Sequence, residues 1–238
     1  AKLNTAYSYD QVGNLTNVNY NASADIRYKY DALGRLTNMV DAAGTSHFTY
    51  DGNGNLLTED GPWSSDTVTL THNEANQVRT LTVQQPVGSW VVTNSYDAAL
   101  RLTQVESPAG IFAYTHESGV GAATTASSLV RKIGLPNSGW ITNVYDGLGR
   151  LADTSLRSST NVVLNQHQYQ YSGHLRSKMT RTDGSYQDYT HDGADQLKTA
   201  LTYTSGGTPI GAENRGYVYD AAGNLNTRTN NAAVQSFG

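Results

Sequence analysis

The side chains that could do chemistry in this chain are carboxylates, imidazoles and indoles; there is no thiol. The segment Asp51-Gly-Asn53-Gly-Asn55 has the oxygen spacing with which a calcium loop opens. Such a loop needs glycine at its sixth position and glutamate at its twelfth, and Leu56 and Pro62 stand there instead. Of the six histidines, His47, His167 and His174 show no H-x-x-x-H spacing that would hold zinc. His72, His116 and His191 occupy slots that a repeated pattern elsewhere gives to tyrosine. No G-x-S-x-G elbow, P-loop or G-x-G-x-x-G turn occurs. Asp25, Glu59 and Asp153 are left over for acid–base work, and nothing in the sequence pairs them. Trp63, Trp90 and Trp140 lie beside Gly, Pro and Ser breakers, where an indole can stack on a sugar ring or cap a sheet edge. They are the candidate ligand contacts. No catalytic residue, metal or cofactor is expected.

Behind these residues stands an internal repeat. The string Y-D-x-x-G-[N/R]-L occurs five times intact. Its anchors are Tyr9, Asp10, Gly13 and Leu15, then Tyr30, Asp31, Gly34 and Leu36, then Tyr50, Asp51, Gly54 and Leu56. Two further sets follow, Tyr145, Asp146, Gly149 and Leu151, and Tyr219, Asp220, Gly223 and Leu225. Degenerate copies open at His72, at Tyr96 with Asp97, at Tyr171 and at His191, and an eroded one at His116. The starts at 9, 30, 50 and 72 are 21, 20 and 22 residues apart, and later spacings stretch, so insertions fall mainly in the second half.

Each copy reads as a turn between two strands. Asp with Gly three residues on fits a type I turn whose Asp carboxylate takes up backbone N–H groups just ahead. The Gly supplies the left-handed residue of a G1 bulge. Counting through that bulge puts Tyr9 opposite Leu15, Tyr30 opposite Leu36, Tyr50 opposite Leu56, Tyr145 opposite Leu151 and Tyr219 opposite Leu225. An aromatic two residues upstream (Tyr7, Tyr28, Phe48, Tyr169, Tyr189 or Tyr217) shares the tyrosine's face, a period of two that belongs to a sheet. Gly and Pro breakers punctuate the other strand ends. The fold class is all-β: tandem antiparallel hairpins, one per repeat, about eighteen to twenty strands in all.

Composition agrees. Sixteen Tyr and 23 Gly against 5 Pro suit many short strands and tight turns, not disorder. With net charge -4 and no basic run beyond Arg131-Lys132, no nucleic-acid partner is expected. No apolar run reaches membrane-spanning length, so no membrane insertion is expected. From the opening AKLNTAYSYD and the close AAVQSFG we expect residues 1–238 to be one array of nine to ten hairpins excised from a longer protein.

The recurring Y-D-x-x-G-[N/R]-L with its upstream aromatic resembles the RHS/YD-repeat (tyrosine-aspartate repeat) family over nearly the whole chain. The resemblance implies a curved, spiralling sheet or an open segment of a β-shell. In bacterial toxins of that family the shell encloses a toxic C-terminal segment, and in animal adhesion proteins a related barrel belongs to a cell-surface receptor. The repeat residues are structural there. The Asp-Pro-containing segment that closes bacterial shells has no counterpart here, so a piece of wall is expected. The function implied is a non-enzymatic scaffold in a large secreted or surface protein of a bacterium. An adhesin-like module binding glycan or protein through the tryptophans is the alternative, and a hydrolase the weakest rival. Expected partners are flanking repeats or domains of the parent protein, and another copy through open sheet edges.

Overall fold

Threonine, valine and tyrosine alternating with polar residues between Asp/Gly turns favour pleated, half-buried strands. The computed structural model describes residues 4–21, 23–118, 126–231 and 233–237, and contains 21 strands among them, slightly more than the repeat count gave. Contacts divide the chain into two units, Ala1–Ile111 and Phe112–Gly238.

The first unit runs β1 (Thr5–Tyr9), β2 (Leu15–Tyr20), β3 (Ile26–Tyr30), β4 (Leu36–Val40), β5 (Thr45–Tyr50), β6 (Leu56–Asp60), β7 (Val68–His72), β8 (Val78–Gln84), β9 (Ser89–Tyr96) and β10 (Leu102–Ser107), with the start of β11 (Gly110–Ser118). From β1 to β10 each strand pairs antiparallel with its successor. The second unit takes the rest of β11, then β12 (Ala126–Gly134), β13 (Trp140–Tyr145), β14 (Leu151–Arg157), β15 (Val163–Ser172), β16 (Leu175–Arg181), β17 (Tyr186–His191) and β18 (Leu197–Tyr203). It closes with β19 (Arg215–Tyr219), β20 (Leu225–Asn230) and β21 (Ala233–Ser236), and again each strand pairs antiparallel with the next. The helix among the described residues is one 3₁₀ turn, Gly211–Glu213. None there is long and apolar enough to cross a membrane.

Registers follow the bulge count. Tyr9 faces Leu15, Tyr30 faces Leu36, Tyr50 faces Leu56, Tyr145 faces Leu151 and Tyr219 faces Leu225, each with a register shift at the tyrosine. The degenerate copies obey the same rule, with His72 on Val78, Tyr96 on Leu102 and His191 on Leu197. The copy at Tyr171 has a two-residue loop, Gly173-His174, between Ser172 and Leu175. The turn of the copy at His116 lies outside the described residues, while His116 itself faces Val130.

In strands such as β3 and β7 one face is half-covered, as their alternating burial shows, whereas β1 and β21 are exposed throughout. Among the described residues Val18 and Ala200 are the buried apolar side chains, and Ser155, Ser185 and Thr202 the buried polar ones. So little is enclosed that the ladders and side-chain links between neighbouring strands must carry the architecture.

Candidate functional site

The chemistry of this chain is concentrated in the repeat turn. In the first copy Asp10 Oδ1 accepts from the amides of Val12 (3.0 Å) and Asn14 (2.8 Å), and Oδ2 accepts from Asn14 Nδ2 (2.9 Å). Gly13 N–H donates to Asp10 O at 3.2 Å, closing the type I turn, and Gly13 has φ 90°. The same cradle forms at Asp31, Asp51, Asp97, Asp146 and Asp220. Where the sixth residue of the motif is arginine, its Nε reaches the carboxylate at 2.7 Å, as in Arg35–Asp31, Arg101–Asp97 and Arg150–Asp146. These contacts hold the aspartates below the usual carboxylate range. The side-chain bond from Asn14, Asn55, Arg101, Arg150 or Asn224 leads at Asp10, Asp51, Asp97, Asp146 and Asp220, and the Arg35 amide leads at Asp31. A carboxylate bound this way is a turn fastener, poorly placed to take or give protons.

The repeat tyrosine does something the sequence reading missed. Its hydroxyl donates to a main-chain carbonyl in the second strand of the preceding hairpin, at the strand's first residue in every case but Tyr145. Tyr30 reaches Leu15 O at 2.8 Å, Tyr50 reaches Leu36 O at 2.8 Å and Tyr96 reaches Val78 O at 2.8 Å. Tyr145 reaches Val130 O at 2.9 Å, Tyr171 reaches Leu151 O at 2.8 Å and Tyr219 reaches Leu197 O at 3.1 Å. A phenol spans that gap while keeping its ring on the sheet face, whereas phenylalanine has nothing to donate. Burial, with the neighbouring Tyr28 and Asp10, pushes the Tyr30 hydroxyl up, so it keeps the proton it donates.

A third link runs between successive turns. The sixth residue of the motif reaches forward: Arg35 Nη1 to Asp51 O (3.1 Å), Asn55 Nδ2 to Asn76 Oδ1 (2.9 Å), Gln77 Nε2 to Leu100 O (2.8 Å) and Gln196 Nε2 to Gly223 O (3.3 Å). Arg150 does the same to Gly173 O. The guanidinium carbons of Arg35 and Arg150 also lie 4.8 Å and 4.3 Å from the ring centroids of the next repeat tyrosines, Tyr50 and Tyr171. The signal was in the sequence: Asn14, Arg35, Asn55, Gln77, Arg101, Arg150, Gln196 and Asn224 are all long or amide donors at one motif position.

The other candidate groups are dispersed. Asp51, Asn53 and Asn55 form the third turn, with both Asp51 oxygens hydrogen-bonded inside it and Asn53 Nδ2 on Asn76 Oδ1 at 3.0 Å. His47 Nδ1 accepts from Asn38 at 2.7 Å, and His174 Nε2 lies 3.1 Å from Asp195 Oδ2. Asp25 is held by Asn19 at 2.9 Å and Asp153 by Gln166 at 2.6 Å. Glu59 is exposed on β6. Trp63 is 67% exposed in the turn after β6 and Trp90, 40% exposed, pairs with Val83, both in the first unit. Trp140 belongs to the second unit, half-buried beneath the Lys132 ammonium, which lies 4.6 Å from its ring centroid.

A run of hairpins, most of them closing on an aspartate-held bulge and leaning by a tyrosine on the one before, defines an all-β hairpin-repeat protein. The family described as RHS Repeat matches residues 9–46 and 30–62, spanning the first three intact copies. Those three copies therefore carry the RHS repeat. A chain in the crystal structure of TcdB2-TccC3 is 16% identical over 99% of this chain, with a TM-score of 0.41. One in the Photorhabdus luminescens Tc holotoxin pore is 16% identical over 98%, also at 0.41, and this chain spans 16% of the length of either. A porin-like protein from Bacteroides uniformis is 11% identical, covers 99% of this chain and 92% of its own, and has a TM-score of 0.28. No curated protein matches the chain.

Proposed function

We propose that this chain is wall material: a non-enzymatic, structural array of nine to ten hairpins within a larger secreted bacterial protein of the toxin-enclosing kind. The observation that carries the reading is where the motif's polar atoms go. The Asp carboxylate is spent inside its own turn, and the Tyr hydroxyl and the sixth-position donor join one hairpin to the next, leaving the repeat without a group free to act on a substrate. Single-layer strands linked in this way give extent and stiffness at about twenty residues per hairpin, which is what a wall requires.

In this reading the strands at the two ends are continued by neighbouring repeats or domains of the parent protein. Among the described residues β1 pairs with β2 alone and β21 with β20 alone, so each keeps one open ladder edge. With no flanking repeats present, those edges recruit another copy, and sedimentation of the isolated chain shows mass rising with concentration.

The chain has no cysteine, which makes the wall reading directly testable. Tyr7 and Ser8 are adjacent, exposed and on opposite faces of β1. In the parent protein, Tyr7→Cys and Ser8→Cys should react with a bulky maleimide at markedly different rates, one face being enclosed. Equal rates would sink the proposal.

A further inference from the structure

The register of the second unit gathers an unusual group of side chains on one sheet face. Trp140 pairs with Gly134 on one side and Arg157 on the other, while Lys132 pairs with Thr142. Because Trp140 and Thr142 are two residues apart, Lys132, Trp140, Thr142 and Arg157 point the same way. Asn143 and Tyr145 point to the opposite face, where both donate to Val130 O. The Trp140 side thus lies outside the tyrosine links that hold the array together.

These residues line a cavity of ≈ 530 Å³, with Arg131, Glu117 and Asn161 among the rest of its wall. That is within the usual range for a small-molecule pocket, roughly 300–1,000 Å³. Its charge runs against the molecule. The chain carries net charge -4, yet Arg131, Lys132 and Arg157 meet one carboxylate here, Glu117. Among the described residues no carboxylate lies within ion-pair range of these three cations. Arg157 is steadied from outside by Asn161, whose Oδ1 accepts from Nη1 at 3.1 Å.

An indole presents an apolar plate to the C–H face of a pyranose, amides and hydroxyls suit its ring substituents, and unpaired cations suit a negative group on it. The Lys132 ammonium lies over the indole and must swing aside for a sugar to stack there, which leaves it at the sugar's edge to meet an acidic substituent. Trp63 and Trp90 are more exposed or comparably so, but among the described residues neither carries a cation on its ring. We propose that the Trp140–Lys132–Arg157 cavity binds an anionic sugar, a pyranose bearing a carboxylate or sulfate. The site is independent of the wall proposal, since the residues involved take no part in the repeat links.

Calorimetric titration of the intact chain tests it, with four probes: a glucuronate-containing disaccharide, a sulfated disaccharide, a neutral disaccharide and inorganic sulfate. One or both acidic disaccharides should bind, and the neutral sugar and free sulfate should bind about tenfold more weakly or worse. Which acidic sugar binds more tightly distinguishes carboxylate from sulfate recognition. Lys132→Glu reverses an exposed charge without disturbing packing, and should weaken binding by about tenfold or more while leaving the circular dichroism spectrum unchanged. Trp140→Ala should abolish binding and Trp63→Ala should leave it unaltered. Equal affinity for the neutral sugar, equal affinity for inorganic sulfate, indifference to Lys132→Glu, or no heat from either acidic sugar up to ~10 mM would each overturn the proposal.

Discussion

The stretch from β3 to β6 and the stretch from β16 to β19 are made of the same hairpin, yet they finish their outer strand ends in different ways. Between β4 and β5 the connection is four residues, Asp41 to Gly44, closed by Asp41 N–H donating to Gly44 O at 2.9 Å. Pairing there runs to the outer ends of the two strands, where Val40 meets Thr45. Between β18 and β19 the connection is much longer, and β19 meets β18 only at Thr199–Gly216 and Ala200–Arg215. The outer end of β18 outruns its partner. There the inserted segment folds back and supplies what the missing strand does not: Asn214 Oδ1 accepts from Thr202 N–H at 2.8 Å, and Ile210 N–H donates to Thr202 O at 2.8 Å. Arg181 pins the segment through Glu213 at 2.6 Å. Thr202, at 0% exposure, is sealed beneath it. A longer strand is tolerated in such an array only when its insertion brings hydrogen-bond partners for the surplus backbone.

The sharpest way to break that contrast is Asn214→Ala. It strands the buried Thr202 amide, and the loss should be ~1–3 kcal/mol in urea unfolding. Asp41→Ala, in the solvent-accessible turn between β4 and β5, should cost clearly less. Equal losses would mean that the inserted segment is a passive loop.

The next effect, ~0.5–1.5 kcal/mol, is expected for Tyr50→Phe, which deletes the hydroxyl link to Leu36 O and keeps the ring. Tyr219→Phe, in the elaborated region, should cost less because its 3.1 Å contact is the longest of the set. The converse change is His72→Tyr. The His72 imidazole fills a tyrosine slot but leaves Nδ1 buried without a partner, so the phenol should stabilise the chain as the links on either side do. A neutral result there, with Tyr50→Phe also neutral, would reduce the hydroxyl links to incidental contacts.

The regular stretch was legible because its information is local. Asp, Gly and the aromatic at fixed offsets determine turn, bulge and register together, so the five tyrosine–leucine pairs could be counted from spacing alone. The Tyr30 link was not legible, since it joins residues 15 apart through a backbone carbonyl that has no sequence signature, and of the Arg35 link only the recurring donor was visible, its acceptor being a carbonyl 16 residues on. The segment 204–214 was harder still: it has no repeat to be read against, and its role depends on which strand ends it happens to overlie. At Trp140 the indole was visible, but that Lys132 and Arg157 flank it follows from ladder registers across three strands.

Turn chemistry offers a smaller test within the regular stretch. Gly54 sits at φ 90°, while the degenerate turn after Tyr96 places Leu100 at φ 62°. A branched side chain in the left-handed region is strained by ~1–2 kcal/mol. Leu100 is 54% exposed, so Leu100→Gly gives up little packing. Part of the relief is offset by the greater freedom of glycine in the unfolded chain, and a net gain of up to ~1 kcal/mol is expected. Gly54→Ala should move stability the other way by a similar amount. If Leu100→Gly destabilises instead, the leucine is a packing residue and that turn has diverged in function as well as in sequence.

The smallest single-site effect should come from the turn carboxylates, and it should be similar in both regions. Asp31 is held below the usual range first by the Arg35 amide and then by its side chain, and Asp183 by the Ser185 hydroxyl and amide. A carboxylate whose pKa is depressed in the fold binds fewer protons there than in the unfolded chain, so its contribution is fully present above the unfolded value of ~3.9 and is lost as pH falls through the lower folded value. Stability should therefore hold from neutrality down to about pH 5 and then decline, with Asp31→Asn and Asp183→Asn each flattening the acid limb slightly. Salt should separate them. The Asp31–Arg35 ion pair at 2.7 Å is partly exposed and should weaken in high salt, whereas the Asp183 turn depends mainly on hydroxyl and amide donors. An acid limb unchanged in both variants would show that these aspartates shape the turn without coupling it to protonation.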